Sequence, residues 1–397
     1  MKVALVHDWL TGLRGGERCL QAFLKMYPSA DIFTLLHVPG ATAPEIDARV
    51  KKTSFLQRLP GVARYYRALL PLFPRAVRSF DLRGYDLVIS LSHAAAKNVV
   101  VPEGTLHLCY CFTPMRYIWD QVRVYFGRLT PLLWPIIRAL RSWDRRGSKG
   151  VDRFVAISDF VAARIRFFYK RSAEVVYPPV ETSWISPAQP GTRGEAFLYA
   201  GALVPYKRPD LVVAAFREID APLWVVGGGP EEAKLRAIAG PNVTFMGRVS
   251  DSELGEYLRR CRALIFPGTE DFGILPLECL AAGRPVIGLY DGALRETLSG
   301  LRPWEESRVD GTAPTGVFIP KGRGGEVAAI VEAVKIFCAQ EDRFSVEACV
   351  AQARCFTPDR FYQSWHRVVQ RCVAEQARSA AGVPSPQLTP VGDEAQV

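Results

Sequence analysis

The sequence predicts an α/β protein built from two Rossmann-like domains, each a parallel sheet wrapped in helices. Three observations carry this. Short apolar runs alternate with amphipathic helical stretches, the pattern of βαβ units. The alternation runs through twice, and a Pro/Gly-rich seam at 178–195 parts the two passes. A length of 397 residues also favours two domains over one.

In the first pass, strands are expected at 2–7, 31–36, 86–90, 106–110 and 153–157. In the second they are expected at 196–200, 223–227, 243–246, 263–266 and 285–288, with helices at 207–218, 230–239, 250–260 and 325–338 between or after them. Tyr177-Pro178-Pro179-Val180 and Ser186-Pro187-Ala188-Gln189-Pro190-Gly191 interrupt regular structure and mark the linker. The domains are therefore expected over 1–180 and 195–356, with a last amphipathic helix over 357–378. The tail 379–397 is rich in Pro, Ser, Gly and Ala and is expected to be disordered.

Composition narrows the function classes. The chain is 49% hydrophobic in short runs, and none reaches the 18 apolar residues of a spanning helix. The opening Met1-Lys2-Val3-Ala4-Leu5-Val6 is too short for a signal peptide and reads as a buried first strand, so a cytoplasmic location is expected. Nine cysteines without a secretory signal are read as reduced thiols, and Cys109 and Cys111 as structural. A net charge of +10 points to phosphates, nucleic acid or anionic membrane. The absence of any nucleic-acid recognition motif argues against the second.

The segment Pro267-Gly268-Thr269-Glu270-Asp271-Phe272-Gly273-Ile274-Leu275-Pro276-Leu277-Glu278 follows the apolar strand Ala263-Leu264-Ile265-Phe266. A helix is expected to begin near Gly273, with Pro276 in its first turn and Gly283 at its end. Free N–H groups of Phe272, Gly273, Ile274 and Leu275 would then face the crevice where ligands bind in such folds, with a diphosphate as the natural anion. Glu270 would face a sugar, and Glu278, one turn in, the ribose diol; the competing reading leaves both as ordinary solvated or helix-interior charges.

A second segment, Tyr199-Ala200-Gly201-Ala202-Leu203-Val204-Pro205-Tyr206-Lys207-Arg208, ends a strand in a Gly/Pro loop that delivers two cations to a helix N-terminus. That position opposes the helix dipole unless an anion sits between. Lys207 and Arg208 are therefore candidates to stabilise a departing nucleoside diphosphate, against the alternative of a solvated pair. Gly227-Gly228-Gly229 and Met246-Gly247-Arg248-Val249 end the next two strands, and Gly228, Arg248 and Val249 are expected at the nucleotide base. In the first half, Gly15 and Gly16 open a helix after the first strand, either for close ligand approach or as a simple tight turn.

These segments, in this order, resemble glycosyltransferase family 4, the retaining GT-B enzymes of bacterial polysaccharide and glycolipid assembly. The resemblance covers roughly 1–375. The span Glu270–Glu278 looks like the family's Glu-x7-Glu motif. His7-Asp8-Trp9-Leu10, Gly15-Gly16-Glu17, Ser92-His93, Thr113-Pro114-Met115-Arg116-Tyr117-Ile118-Trp119-Asp120 and Leu203–Arg208 are similar to a mannosyltransferase-like branch.

The resemblance implies a GT-B fold, with two domains facing across a cleft and the final helix crossing back. It implies a nucleoside-diphosphate-sugar donor, GDP-mannose by the branch, held by the C-terminal domain, and a glycan or polyprenyl-linked acceptor on the N-terminal one. It further implies same-face transfer with the leaving phosphate deprotonating the acceptor, and neither cofactor nor metal, in keeping with the lack of a metal-bridging Asp-x-Asp pair. One departure stands out. Phe112 occupies the place before Thr113-Pro114 where related sequences commonly carry His, which leaves His93 as the candidate polar contact, against the alternative of a buried structural histidine.

Residues 51–80 contain seven Lys or Arg and no Asp or Glu, interleaved with apolar residues, and 132–143 repeat the pattern. Basic amphipathic segments of this kind predict peripheral contact with the inner face of the cytoplasmic membrane, against the alternative of core packing with solvated arginines. Two rival functions stay in view. One is a glycosyltransferase-like scaffold without turnover, suggested by Phe112. The other is an NAD-dependent oxidoreductase, which the missing Gly-x-Gly-x-x-Gly after the first strand disfavours.

Overall fold

The computed structural model describes residues 1–192, 194–305, 313–322 and 325–380. The first sheet contains β1 (Val3–His7), β2 (Asp31–Thr34), β3 (Val50–Thr53), β4 (Leu87–Ser92), β5 (Leu106–Cys111), β6 (Arg153–Ala156) and β7 (Ala173–Val175). The second contains β8 (Ala196–Ala200), β9 (Leu223–Val226), β10 (Val243–Gly247), β11 (Cys261–Phe266), β12 (Val286–Leu289), β13 (Gly300–Leu301) and β14 (Gly316–Ile319). All pairings are parallel, in the orders β3-β2-β1-β4-β5-β6-β7 and β10-β9-β8-β11-β12-β14-β13. The expected α/β fold with two Rossmann-like domains is borne out.

Each expected strand forms, shifted by a residue or two at its ends. Four more were not expected: β3, β7, β13 and β14. The reason is physical. β3 (Val-Lys-Lys-Thr) and β7 (Ala-Glu-Val) are short, charged edge strands without an apolar run, the composition that blunts a sheet edge. β13 has two residues, and the buried Gly-Val-Phe-Ile of β14 has only four.

Both faces of both sheets are covered, as parallel sheets require. One apolar cluster lies under the first sheet and one under the second. A third is continuous through both domains. The helix Pro358–Ala380 extends it onto the first domain: Trp365 and Phe361 meet Phe23 edge-on, with ring centroids 4.7 and 5.4 Å away, and Tyr110 packs beside them. Residues 379 and 380 still belong to this helix, and 381–397 of the expected tail lie outside the described residues. The chain passes between domains twice, and the two crossings touch, Val180 N–H donating to the Phe356 carbonyl at 2.9 Å.

The basic stretch 51–80 is not one amphipathic helix. Its prolines and Gly61 divide it into β3, three short 3₁₀ turns and the helix Phe73–Val77. Leu56, Tyr66, Leu70 and Phe73 enter the core, whereas Phe55, Leu59, Tyr65 and Leu72 stay exposed. The helix Thr130–Gly147 divides the same way, burying Ile137, Leu140 and Trp143 and exposing Leu132 and Trp134. Among the described residues, no helix is long and apolar enough to cross a membrane.

Candidate active site

In each sheet the strand order reverses beside the first strand, at β1/β4 and at β8/β11. Ligands of open α/β sheets sit outside the carboxyl ends of the strands at such reversals. Here the two reversals face each other across a cleft of about 670 Å3.

On the second domain's side, the loop after β11 ends at Gly273, whose φ of +83° is left-handed backbone that glycine enters at no steric cost. The helix Ile274–Ala281 starts there, and Phe272, Gly273, Ile274 and Leu275 all line the cleft. Glu270 and Lys207 meet in the cleft wall, Oε1 to Nζ at 3.4 Å. Gly201 lies beside this pair: a Cβ on it would be in ordinary contact with Lys207 Nζ, at 3.7 Å. Glu278 faces the cleft and is 7% exposed; burial pushes its carboxyl up to about 7, with Arg18 offsetting part of the effect.

The first domain contributes the helix Gly15–Met26, and Gly15 and Gly16 line the cleft. A Cβ on Gly15 would come 3.2 Å from Ile274 Cδ1, so two helix N-termini face one another. Glu17 accepts the Arg14 N–H at 3.0 Å and fixes the start of that helix. Asp8 is fully buried and accepts the N–H groups of His93, Ala94, Ala95 and Ala96 at 2.6–2.9 Å, shaping the loop after β4. Its Oδ2 also lies 3.1 Å from His93 Nδ1. Trp9 packs edge-on against His93, with centroids 4.4 Å apart.

Phe112 packs beside both His93 and His7, with ring centroids 6.4 Å from each, and the two histidine rings are 6.1 Å apart. His7 Nδ1 lies 3.0 Å from the Trp9 carbonyl, and its buried Nε2 has no partner in the protein. Burial drives the His7 value down to about 4 and that of His93 below the ordinary one, so both rings are neutral near pH 7.

The sequence-predicted residues thus divide. Glu270, Lys207, His93, Gly15, Gly16, Phe272, Gly273, Ile274, Leu275 and Glu278 line one cleft. Gly201 borders it through Lys207. Gly228, Arg248 and Val249 are not in its lining. Gly228 and Arg248 pack on each other at the ends of β9 and β10, where a Cβ on Gly228 would meet Arg248 Nε at 3.1 Å, and Val249 packs against the core.

Arg208 calls for a correction. Its backbone is left-handed, φ +54°, and its guanidinium binds Glu326 at 2.7 Å and Asp210 at 3.2 Å rather than entering the cleft beside Lys207. Sequence reasoning passed over Arg116, Asp271, Arg164 and Ser158, which join the domains at the cleft. The Thr113–Asp120 motif, which holds Arg116, and the Pro267–Glu278 segment, which holds Asp271, were the signals that pointed to that region.

Fold and site together define a two-domain α/β protein with a cleft at facing strand reversals. Residues 183–340 match the family model of glycosyl transferases group 1, and the resemblance to family 4 read from the sequence is borne out. Similar curated proteins include the GDP-mannose-dependent alpha-(1-6)-phosphatidylinositol monomannoside mannosyltransferase of Mycobacterium tuberculosis, 30% identical over 42% of this chain and 51% of that one. The D-rhamnosyltransferase WbpZ of Pseudomonas aeruginosa is 30% identical over 38% and 44%. The chain thus spans about half the length of these relatives. Among solved structures, Anabaena Alr3699/HepE in complex with UDP superposes with a TM-score of 0.67 at 16% identity, over 94% of this chain and all of that one. Sucrose-phosphate synthase from Thermosynechococcus elongatus gives 0.67 at 16%, over the same shares. These likenesses identify the fold as GT-B.

Proposed function

We propose that the protein is a retaining glycosyltransferase that takes a sugar from a nucleoside-diphosphate donor, GDP-mannose by preference, and adds it to a glycan or polyprenyl-linked acceptor of cell-surface polysaccharide or glycolipid. The observation that carries this reading is the meeting, in one cleft, of the Glu270–Lys207 pair, the helix N-terminus at Gly273–Leu275 and the buried Glu278, opposite the Gly15–Gly16 helix N-terminus. The N–H groups and Lys207 would receive the diphosphate. Glu278 would accept the ribose hydroxyls, and Glu270 the donor-sugar hydroxyls.

In the transfer, the bond from the anomeric carbon to the diphosphate oxygen breaks. The acceptor hydroxyl oxygen bonds that carbon on the same face, and its proton passes to the departing phosphate oxygen. No metal or cofactor enters this scheme, because Lys207 and two helix N-termini take up the leaving-group charge. The preference for GDP-mannose rests on the branch resemblance and on the M. tuberculosis relative.

The exposed Leu132 and Trp134 beside Arg138 and Arg141, with Phe55, Leu59 and Tyr65 among basic neighbours, favour docking on an anionic membrane surface.

Thermal melting with a panel of nucleotides, followed by transfer assays with the donor that binds, tests the reading. A shift with one nucleoside diphosphate that Glu278→Ala abolishes, and transfer that survives EDTA, are the expected results. Binding without turnover on any acceptor would favour the scaffold reading that Phe112 suggests, and no binding at all would sink both.

A further inference from the structure

The catalytic-loop candidate Glu270 is followed by a carboxylate that looks the other way. Asp271 Oδ1 takes Arg164 Nη1 at 2.8 Å, and its Oδ2 takes Arg116 Nη2 at 2.5 Å. The Asp271 carbonyl accepts the Ser158 hydroxyl at 2.6 Å. All three partners belong to the first domain. Arg164 is itself buried and held, donating to Thr113 Oγ1 at 2.5 Å and to Asp120 Oδ2 at 2.7 Å.

A second carboxylate enters beside it. Glu296 accepts the N–H groups of Asp159 and Phe160 at 2.7 and 3.1 Å, capping from across the domain boundary the helix Asp159–Tyr169 that carries Arg164. Tyr177 adds its hydroxyl at 3.2 Å. Within the second domain the two prongs form one piece. Ala293 N–H donates to the Glu270 carbonyl at 3.0 Å, and a Cβ on Gly292 would lie 2.4 Å from that oxygen. So the Glu270 loop and the Glu296 turn are tied to each other, and both contact the helix Asp159–Tyr169 of the other domain.

We propose that Asp271 is a positioning residue: seated on Arg164 and Arg116, it sets the place of Glu270 against the donor sugar only when the two domains are closed. The proposal rests on the glycosyltransferase reading of the same cleft. It adds that docking of the second domain on the helix Asp159–Tyr169 assembles the reacting site. The nucleoside-diphosphate half is held mainly by Lys207, the N–H groups of Gly273–Leu275 and Glu278 of the second domain, so loss of the seat bears less on it than on Glu270. A displaced charged loop of this kind costs turnover far more than binding, because misplacement by about 1 Å can cost about 100-fold in rate.

The test compares the full chain with Asp271→Asn, Arg164→Gln and the double variant. Turnover, nucleoside-diphosphate Kd by calorimetry, melting temperature and the radius of gyration by small-angle scattering with GDP bound are measured for each. Asp271→Asn and Arg164→Gln are each expected to lower kcat by about 10- to 100-fold with Kd within about twofold, and the double variant to lose clearly less than the two losses combined, since both break the Asp271–Arg164 tie. Both are also expected to scatter as a more open molecule than the wild type with GDP bound.

A kcat within about twofold of wild type in both single variants, with unchanged scattering, would overturn the proposal. So would full additivity in the double variant. Should Asp271→Asn melt too low to assay, Arg164→Lys, which keeps the charge but cannot fork to Asp120 and Asp271 together, is expected to recover part of the turnover lost in Arg164→Gln. A wild type that neither binds nucleotide nor transfers sugar would defeat the enzymatic reading instead. The seat would then be judged on scattering of the unliganded proteins, where identical profiles of wild type and Asp271→Asn refute it.

Discussion

Replacing Glu278 with glutamine should make the unliganded protein more stable at pH 8 while weakening its hold on nucleotide. The side chain is 7% exposed on the inner face of the helix Ile274–Ala281, and burial lifts its carboxyl from the ordinary 4.5 to about 7. At 1.36 kcal/mol for each pH unit, that displacement corresponds to about 3 kcal/mol. The folded chain holds this proton more tightly than the unfolded chain. The group therefore costs nothing below pH 4.5, costs progressively more as pH rises to about 7, and costs the full amount above it. Glutamine has the same shape without the charge.

Melting by calorimetry at pH 5 and pH 8 reads this directly. The variant should melt several degrees above wild type at pH 8, and the gap should close at pH 5. The stabilisation by GDP should shrink, because an amide offers one acceptor oxygen where a carboxylate offers two to the ribose diol. Equal melting of both proteins at both pH values would refute the reasoning, and so would a variant less stable at pH 8.

Other outcomes follow from the same structure. Lys207→Ala should lower kcat by about 10²-fold, the usual loss on removing one donor to a developing anion, measured by steady-state transfer assay. Lys97→Met should destabilise the fold by about 3–5 kcal/mol in denaturant titration, because Asp144, wholly buried and bonded to Lys97, Asn98, Trp119 and Tyr169, would lose its countercharge. Gly273→Ala should reduce both stability and nucleotide affinity, since alanine resists φ +83° and its Cβ would press on Leu294 Cδ1 at 3.3 Å. Flotation with vesicles rich in anionic lipid should carry the wild type and, at moderate salt, lose Leu132→Ser/Trp134→Ser, whose exposed side chains supply the apolar half of the contact.

How far the sequence could be read depended on whether the information was local. The run Ala263–Phe266 followed by Gly273 and Pro276 announces a strand, a loop and a helix start within a dozen residues, and the structure places them so. Gly15 and Gly16 are legible for the same reason. The Asp271–Arg164 pair joins residues 107 apart in different domains, and neither side chain sits in a pattern that names its partner. Arg208 shows the opposite failure. Its neighbour Lys207 reaches the cleft, but one left-handed residue turns the next cation towards Glu326, and nothing in the adjacent sequence forecasts that turn. Edge strands such as β3 escaped because their charge, which keeps a sheet edge from pairing with strangers, also erases the apolar signature of a strand.

The last helix has a consequence for anyone recombining such proteins. Because Phe361 and Trp365 complete the packing around Phe23 and Tyr110, the first domain is discontinuous in the chain. A chimera cut once at the linker would graft a foreign second domain together with a helix shaped for another first domain. Exchange of the second domain calls for two junctions, one near Val180 and one near Phe356, where the crossings already lie side by side. In chain order the second domain is therefore an insert within the first rather than a tail to it.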